Sequence, residues 1–386
     1  MKRILLYAGR LACVLLLISL AGCSDVFRPI AIPIFNPSGD PQILQRAVVI
    51  NNNGGATGSV MILDAVADVA LAVLPTGKNP VHAASISNNT WIANKDDSTL
   101  TVVNTFASGG TFGTTVTLPA GSQPQFVLAT DATNIYVANA NGTVSSVSPA
   151  LLVVKTTVAV GANPIAMAET PDLKKIYCVN QGSNNVSVLN ADLSSGTVPT
   201  IAVQSSPMAA VLNADGSLLF VLNQGSGTVS VIDTASDTLI ANLSVGTSPS
   251  AMIFDSSLRR LYVANTADNT ITIFKADAGT PTVLAAAVPV GTSPVSITAL
   301  ANGTRVYVAN RGSNNVSVIS TTSNTVTKTI TVGSIPISIS SGGSSLRVLV
   351  TNQSSNNITD IQTSNDTVIA TLAAASPNPS FVLSLQ

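Results

Sequence analysis

Residues 306–319 read VYVANRGSNNVSVI, and the chain repeats the phrase as IYCVNQGSNNVSVL from Ile176, LFVLNQGSGTVSVI from Leu219 and LYVANTADNTITIF from Leu261. Each copy is a short apolar run rich in Val, Ile and Tyr, an Asn, a polar turn of Gly, Ser and Asn, and a second β-branched run. That is the signature of a β-hairpin. Working outward, SPVSITAL (293–300) precedes the phrase through the turn ANGTR, and VTKTITVG (326–333) follows it through TTSNT. The unit is therefore a four-stranded antiparallel meander of about 42 residues, one such unit being unable to bury both its faces alone.

Two markers count the units. The Asn that closes a strand recurs as Asn52, Asn94, Asn139, Asn180, Asn223, Asn265, Asn310 and Asn352, and a Pro opens another strand at Pro80, Pro124, Pro164, Pro207, Pro249, Pro294, Pro336 and Pro379. Units of this period and strand number close into a β-propeller, which leaves only short, protected edges. The strings LYVAN, VYVAN and IYVAN, the divergent VLVTN from Val348 and the VGTSP before inner strands resemble the YVTN repeat from about Ala47 to the end. The resemblance implies an all-β propeller of the kind found in archaeal surface-layer proteins and bacterial envelope proteins, where seven blades are usual. Here the spacing predicts eight, with seven as the alternative. The first unit lacks its opening Pro strand and Pro379-Ser380-Phe381-Val382-Leu383 lacks followers, so the last strand is expected to join those near Val48, Val60 and Val69 and close the ring.

Ahead of the repeats, MKRILLYAGRLACVLLLISLAGC has the basic start and apolar run of a secretory signal, too short for a confident membrane span. Its Leu20-Ala21-Gly22-Cys23 resembles a lipoprotein lipobox, which implies acylation of Cys23, a membrane attachment through that lipid, and a cell-envelope location; Ser24 favours the outer membrane, facing the periplasm or the surface. Residues 1–22 are read as the leader. Residues 23–46, with Pro29, Pro33, Pro37 and Pro41, read as an extended tether, and 47–386 as the propeller. Loss of Cys13 with the leader and of Cys23 to lipid leaves Cys178 as a lone thiol inside an apolar run, the pattern of a buried structural cysteine.

Only 9% of residues are charged, against about a quarter in ordinary domains. The sandwiching of sheet on sheet accounts for it, since a side chain on either face of a middle strand meets protein. Without Lys2, Arg3 and Arg10 the chain holds 14 basic against 18 acidic residues, and no basic stripe exists to gather phosphates, so nucleic acid is not an expected partner. The recurrent Asn is expected to be structural, a turn cap that tolerates left-handed backbone. Asp64, Asp233 and Asp237 likewise read as hairpin turn residues.

Chemistry needs convergent residues, and the inventory is thin. One histidine, His82, and one glutamate, Glu169, are present, with neither Cys-x-x-Cys-His nor Gly-x-Ser-x-Gly. No cofactor, metal site or catalytic residue is expected. His82 lies two residues past Pro80 on an inner strand, where the other blades carry Phe126, Ala166, Ala209, Ala251, Ser296, Ser338 and Phe381. The loops before the prolines should converge on one mouth of the channel and supply Lys78, Asn79, Gln123, Asn163, Ser206, Ser248 and Ser293, a polar ring suited to a glycan, peptide or small polar ligand. The leading functional expectation is a lipid-anchored, non-enzymatic propeller that binds a protein or glycan. The alternatives are a propeller enzyme of lactonase or sugar-dehydrogenase type and an architectural surface protein.

Overall fold

The computed structural model describes residues 34–35, 41–42, 45–106, 111–194, 197–277, 279–343 and 345–385. The leader, Cys23 and most of the tether lie outside the described residues; within the tether span, Ile34–Phe35 pairs with Pro41–Gln42. The rest is a propeller of eight four-stranded antiparallel blades, each a meander from inner to outer strand. Blade 1 is composite: the C-terminal strand Pro379–Ser384 is its inner strand and pairs with Arg46–Asn51, which continues into Thr57–Asp64 and Val69–Lys78. Blades 2 to 8 begin at the inner strands Pro80–Ile86, Pro124–Leu128, Pro164–Glu169, Pro207–Leu212, Pro249–Asp255, Pro294–Ala299 and Pro336–Ser341. The count of eight and the closure by the last strand agree with the sequence reading. The propeller starts one residue earlier, at Arg46, whose carbonyl accepts from Leu385 N–H at 2.7 Å.

The apolar runs are continuous because both faces of the middle strands are buried. In Lys175–Asn180, Ile176 and Cys178 pack with Tyr136 and Ala138 of blade 3, while Tyr177 and Val179 pack with Leu219 and Val221 of blade 5. The described buried apolar residues divide in this way into eight clusters, one in each seam between blades. Each fully buried Val or Leu there contributes about 1.5–3 kcal/mol. Cys178 is buried and its thiol pushed upward by that burial, which fits an inert core residue.

The closing Asn works differently from the turn cap expected. Asn94, Asn139, Asn180, Asn223, Asn265, Asn310 and Asn352 are fully buried strand residues, and each Nδ2 donates across its hairpin. The acceptors are hydroxyls such as Thr272 Oγ1 at 2.9 Å from Asn265 and Ser317 Oγ at 2.9 Å from Asn310. In blade 1 this role belongs to Asn51, not Asn52, because Asn51 pairs with Pro379 as Asn94 does with Pro80; Asn52 instead caps the following turn. The Gly of VGTSP follows from the same Asn. A Cβ on Gly246 would stand 2.6 Å from Asn265 Cγ, and one on Gly291 2.7 Å from Asn310 Cγ, inside contact distance.

Turn chemistry does what was expected of the acids. Asp64 Oδ1 accepts from Val66 and Ala67 N–H, and Asp233 Oδ1 from Ser236 N–H. Asp237 has a left-handed backbone and also reaches across a seam, accepting from Tyr177 Oη at 2.6 Å and pairing with Lys175 at 2.7 Å.

Candidate functional site

The residues before the eight prolines share one conformation. Asn79, Gln123, Asn163, Ser206, Ser248, Ser293, Ile335 and Asn378 all have φ between 50° and 57°, in the left-handed region that Asn tolerates best. Their carbonyls accept from the residue after the closing Asn, as Asn163 O does from Gln181 N–H at 3.0 Å and Ser293 O from Arg311 N–H at 2.9 Å. The polar ring expected from the sequence is thus a ring of turn residues. Two of its side chains are engaged in the framework: Asn79 accepts from Asn52 at 2.6 Å and donates to Asp96 at 3.1 Å, and Asn163 accepts from Gln125 at 2.6 Å and donates to Gln181 at 3.0 Å. Lys78 is exposed, and its N–H is held by Asp97 Oδ2 at 2.6 Å.

Asymmetry enters two residues further along, on the inner strands. An inner strand presents a free backbone edge toward the channel, and side chains of the preceding blade satisfy part of it. Ser296 Oγ of blade 7 accepts from Ile339 N–H at 3.2 Å, and Ser338 Oγ of blade 8 accepts from Val382 N–H of blade 1 at 3.2 Å. Ser340 Oγ repeats the device with Ser384 N–H at 3.0 Å. At the same position of blade 2 stands His82, whose Nδ1 accepts from Val127 N–H of blade 3 at 3.3 Å. Ala166, Ala209 and Ala251 of blades 4 to 6 have no side-chain acceptor to offer.

His82 is flanked by the equivalent residues of the blades on either side. Its ring stacks on Phe126 of blade 3 with centroids 4.1 Å apart and lies tilted to Phe381 of blade 1 at 5.2 Å. Burial lowers its pKa from 6.5 to about 4, so the imidazole is neutral at physiological pH. With Nδ1 occupied as acceptor, the ring proton is assigned to Nε2.

These three rings border a cavity of about 380 Å³ lined by the inner strands of blades 1, 2 and 3 and the residues just beyond them. Its walls are Leu128, Leu383 and Leu385 with neighbouring Ala residues, and Ser87 and Ser384 add hydroxyls. Of the expected site residues, His82 alone lines it; Lys78, Asn79, Gln123, Asn163, Ser206, Ser248 and Ser293 do not. The cavity follows the inner strands from His82 onward, away from their prolines. The leucines and serines went unread in the sequence, but one signal was there: the three aromatic members of an otherwise Ala and Ser column fall in cyclically consecutive blades.

Near this cavity, Thr130, the residue after Ala129, donates to Glu169 at the end of the blade 4 inner strand. Burial pushes the Glu169 carboxyl up to about 7, and its Oε1 has no partner among the described residues. No three of His, Cys, Asp and Glu gather into a group that could hold a metal ion among the described residues.

Solved structures share the architecture. Dihydro-heme d1 dehydrogenase NirN superposes with a TM-score of 0.71 at 12% identity, over 90% of this chain and 76% of that one. A candidate 6-phosphogluconolactonase from Bacteroides fragilis gives 0.60 at 16% identity over 90% and 100%, and virginiamycin B lyase from Staphylococcus aureus 0.57 at 13% over 71% and 91%. At such identities the likeness is one of fold. No curated protein matches the chain. The family model for YNCE-like β-propellers matches residues 56–383, nearly all of the ring built above, and the chain belongs to that family.

Proposed function

We propose that this is a non-enzymatic binding propeller, held at the cell envelope by a lipid on Cys23, whose binding site is the cavity beside His82. The observation that carries the reading is the break in symmetry. Of eight equivalent inner-strand positions, three in consecutive blades hold rings in mutual contact through His82, and a mostly apolar cavity of about 380 Å³ lies against them. Concave, mostly apolar pockets with a few polar groups are the usual form of small-molecule sites. His82 supports binding rather than acid-base work: its one basic nitrogen is committed to Val127 N–H and its pKa is lowered to about 4. Envelope attachment rests on the Leu20-Ala21-Gly22-Cys23 tetrad.

A second reading has one observation in its favour. Glu169 is raised to about 7, the range of a general acid at neutral pH, close to the same cavity, which suits an enzyme. One experiment separates the two. The mature protein is titrated with the neutral fluorophore N-phenyl-1-naphthylamine, alongside Ala129→Trp, which fills the cavity from a residue outside the strands. Binding to a single site, weakened about tenfold or more in Ala129→Trp, is the expected outcome. Probe binding unaffected by Ala129→Trp refutes the site. Turnover of a sugar lactone that Glu169→Gln abolishes establishes the enzyme in its place.

A further inference from the structure

We infer that the cavity takes a neutral, largely apolar small molecule bearing a carbonyl-type oxygen, which accepts a hydrogen bond from Nε2–H of His82. The inference rests on the binding reading above and deepens it. Neutrality follows from the lining. No Lys, Arg, Asp or Glu borders the cavity, so a charged ligand would give up its hydration and meet no counter-charge. An apolar body follows from Phe126, Phe381, Leu128, Leu383 and Leu385, which turn hydrocarbon toward the space. The volume sits at the small end of the range for ligand pockets.

The acceptor follows from the tautomer. Because Val127 N–H donates to Nδ1, His82 offers a donor to anything beyond it, and among the described residues no acceptor meets Nε2. A donor facing an apolar cleft discriminates strongly, since a ligand that lacks the matching oxygen leaves it unpaired. The comparison with the serines sharpens the point. Ser296 and Ser338 cap the neighbouring strand edge just as His82 does, but His82 does so with one ring atom and retains a second polar atom for the cavity.

The test uses displacement of bound N-phenyl-1-naphthylamine by two matched compounds, 2-acetylnaphthalene and 2-ethylnaphthalene, which differ in the carbonyl. The ketone is expected to bind about three- to tenfold tighter, the net worth of one hydrogen bond. His82→Phe keeps an aromatic ring and should erase that preference for the ketone over the hydrocarbon. His82→Gln, which carries both an acceptor for Val127 N–H and a donor for the cavity, should restore part of it. Emission from Trp91, buried on the strand paired with cavity-lining Ala84, reports whether each variant is folded. Equal affinity for ketone and hydrocarbon in the wild type, or an equal preference in His82→Phe, overturns the donor assignment and leaves the binding reading standing. Tighter binding of 2-naphthoate or of a naphthyl trimethylammonium overturns the neutral ligand class. Failure of the fluorophore and both naphthalenes to bind overturns the inference and the binding reading together.

Discussion

Two adjacent seams, between blades 7 and 8 and between blades 8 and 1, solve the same packing problem with the carboxylate in different places. In the first, Val318 fills the third-strand slot that faces the next blade and is fully buried. The acid stands at the rim: Asp366 of blade 8 pairs with Arg305 at 3.1 Å and accepts from Tyr307 Oη, both reaching over from blade 7. In the second seam the Val slot holds Asp360, fully buried, and the Tyr position holds Leu349. Asp360 has Arg347 at 3.4 Å on one oxygen, and its carboxyl shares a hydrogen bond with that of Asp68 from blade 1. Burial first, and then the neighbouring Asp68 carboxyl, raise Asp360 well above the usual aspartate range, with Arg347 pulling the other way. The difference teaches that one slot, moved from rim to core, converts a satisfied ion pair into a proton-dependent contact. It does so in the seam beside the blade that the first and last strands of the ring close, where Pro379–Ser384 meets Arg46–Asn51.

The largest effect should come from removing that closure. Deleting residues 379–386 strips the inner strand from blade 1, exposes the edge of Arg46–Asn51 and uncovers the seam beside Asp360. Cooperative thermal unfolding should be lost or the midpoint lowered by more than about 10 °C, with aggregation through the open edge. An unchanged melting curve would mean that this strand does not hold the ring shut.

Next in size is the transplant of the second seam's chemistry into the first. Val318→Asp places a carboxyl in the buried slot while Arg305 is already committed to Asp366 and Thr363 O. It should cost about 3 kcal/mol or more at pH 8, and less at pH 5 where the new acid keeps its proton. Urea unfolding at the two pH values measures it; a cost independent of pH would contradict the electrostatic account.

The smallest effect is the reverse swap. The native state holds a proton on Asp360 that the unfolded chain releases, so Asp360 contributes most favourably at low pH. That contribution falls away as pH climbs from the ordinary aspartate range toward about 8. Relative to wild type, Asp360→Val should therefore be more favourable at pH 8 than at pH 5, by about 1–3 kcal/mol. Differential scanning calorimetry at both values reads the gain, and the same gain at each would sink the assignment.

How far the sequence carries depends on the range over which its information acts. Hairpin turns and the apolar run of Ile176, Tyr177, Cys178 and Val179 are local, and a reader of 42 residues sees them. The closing Asn was legible as structural, but its mechanism was not. A turn cap and a cross-hairpin donor look alike in sequence, and only the pairing of Asn51 with Pro379 places the first copy one residue earlier than its NNN context suggests. The channel-mouth ring was legible as a geometric ring, yet Asn79 and Asn163 spend their side chains on neighbouring turns.

What the sequence by itself determined is the blade: four strands, their order, their number of repetitions and the scarcity of charge, because period-two alternation and turn chemistry act between residues close in the chain. What only the tertiary structure decided is which side chains the blades that meet across the closure share. Phe381 comes to His82, and Asp360 to Asp68, only when the last strand completes the first blade. Those pairs make the cavity and the proton-dependent seam. The sequence marks the closure itself, through a first unit without its Pro strand and a last Pro strand without followers, but not which side chains that contact brings together, since those lie far apart in the chain.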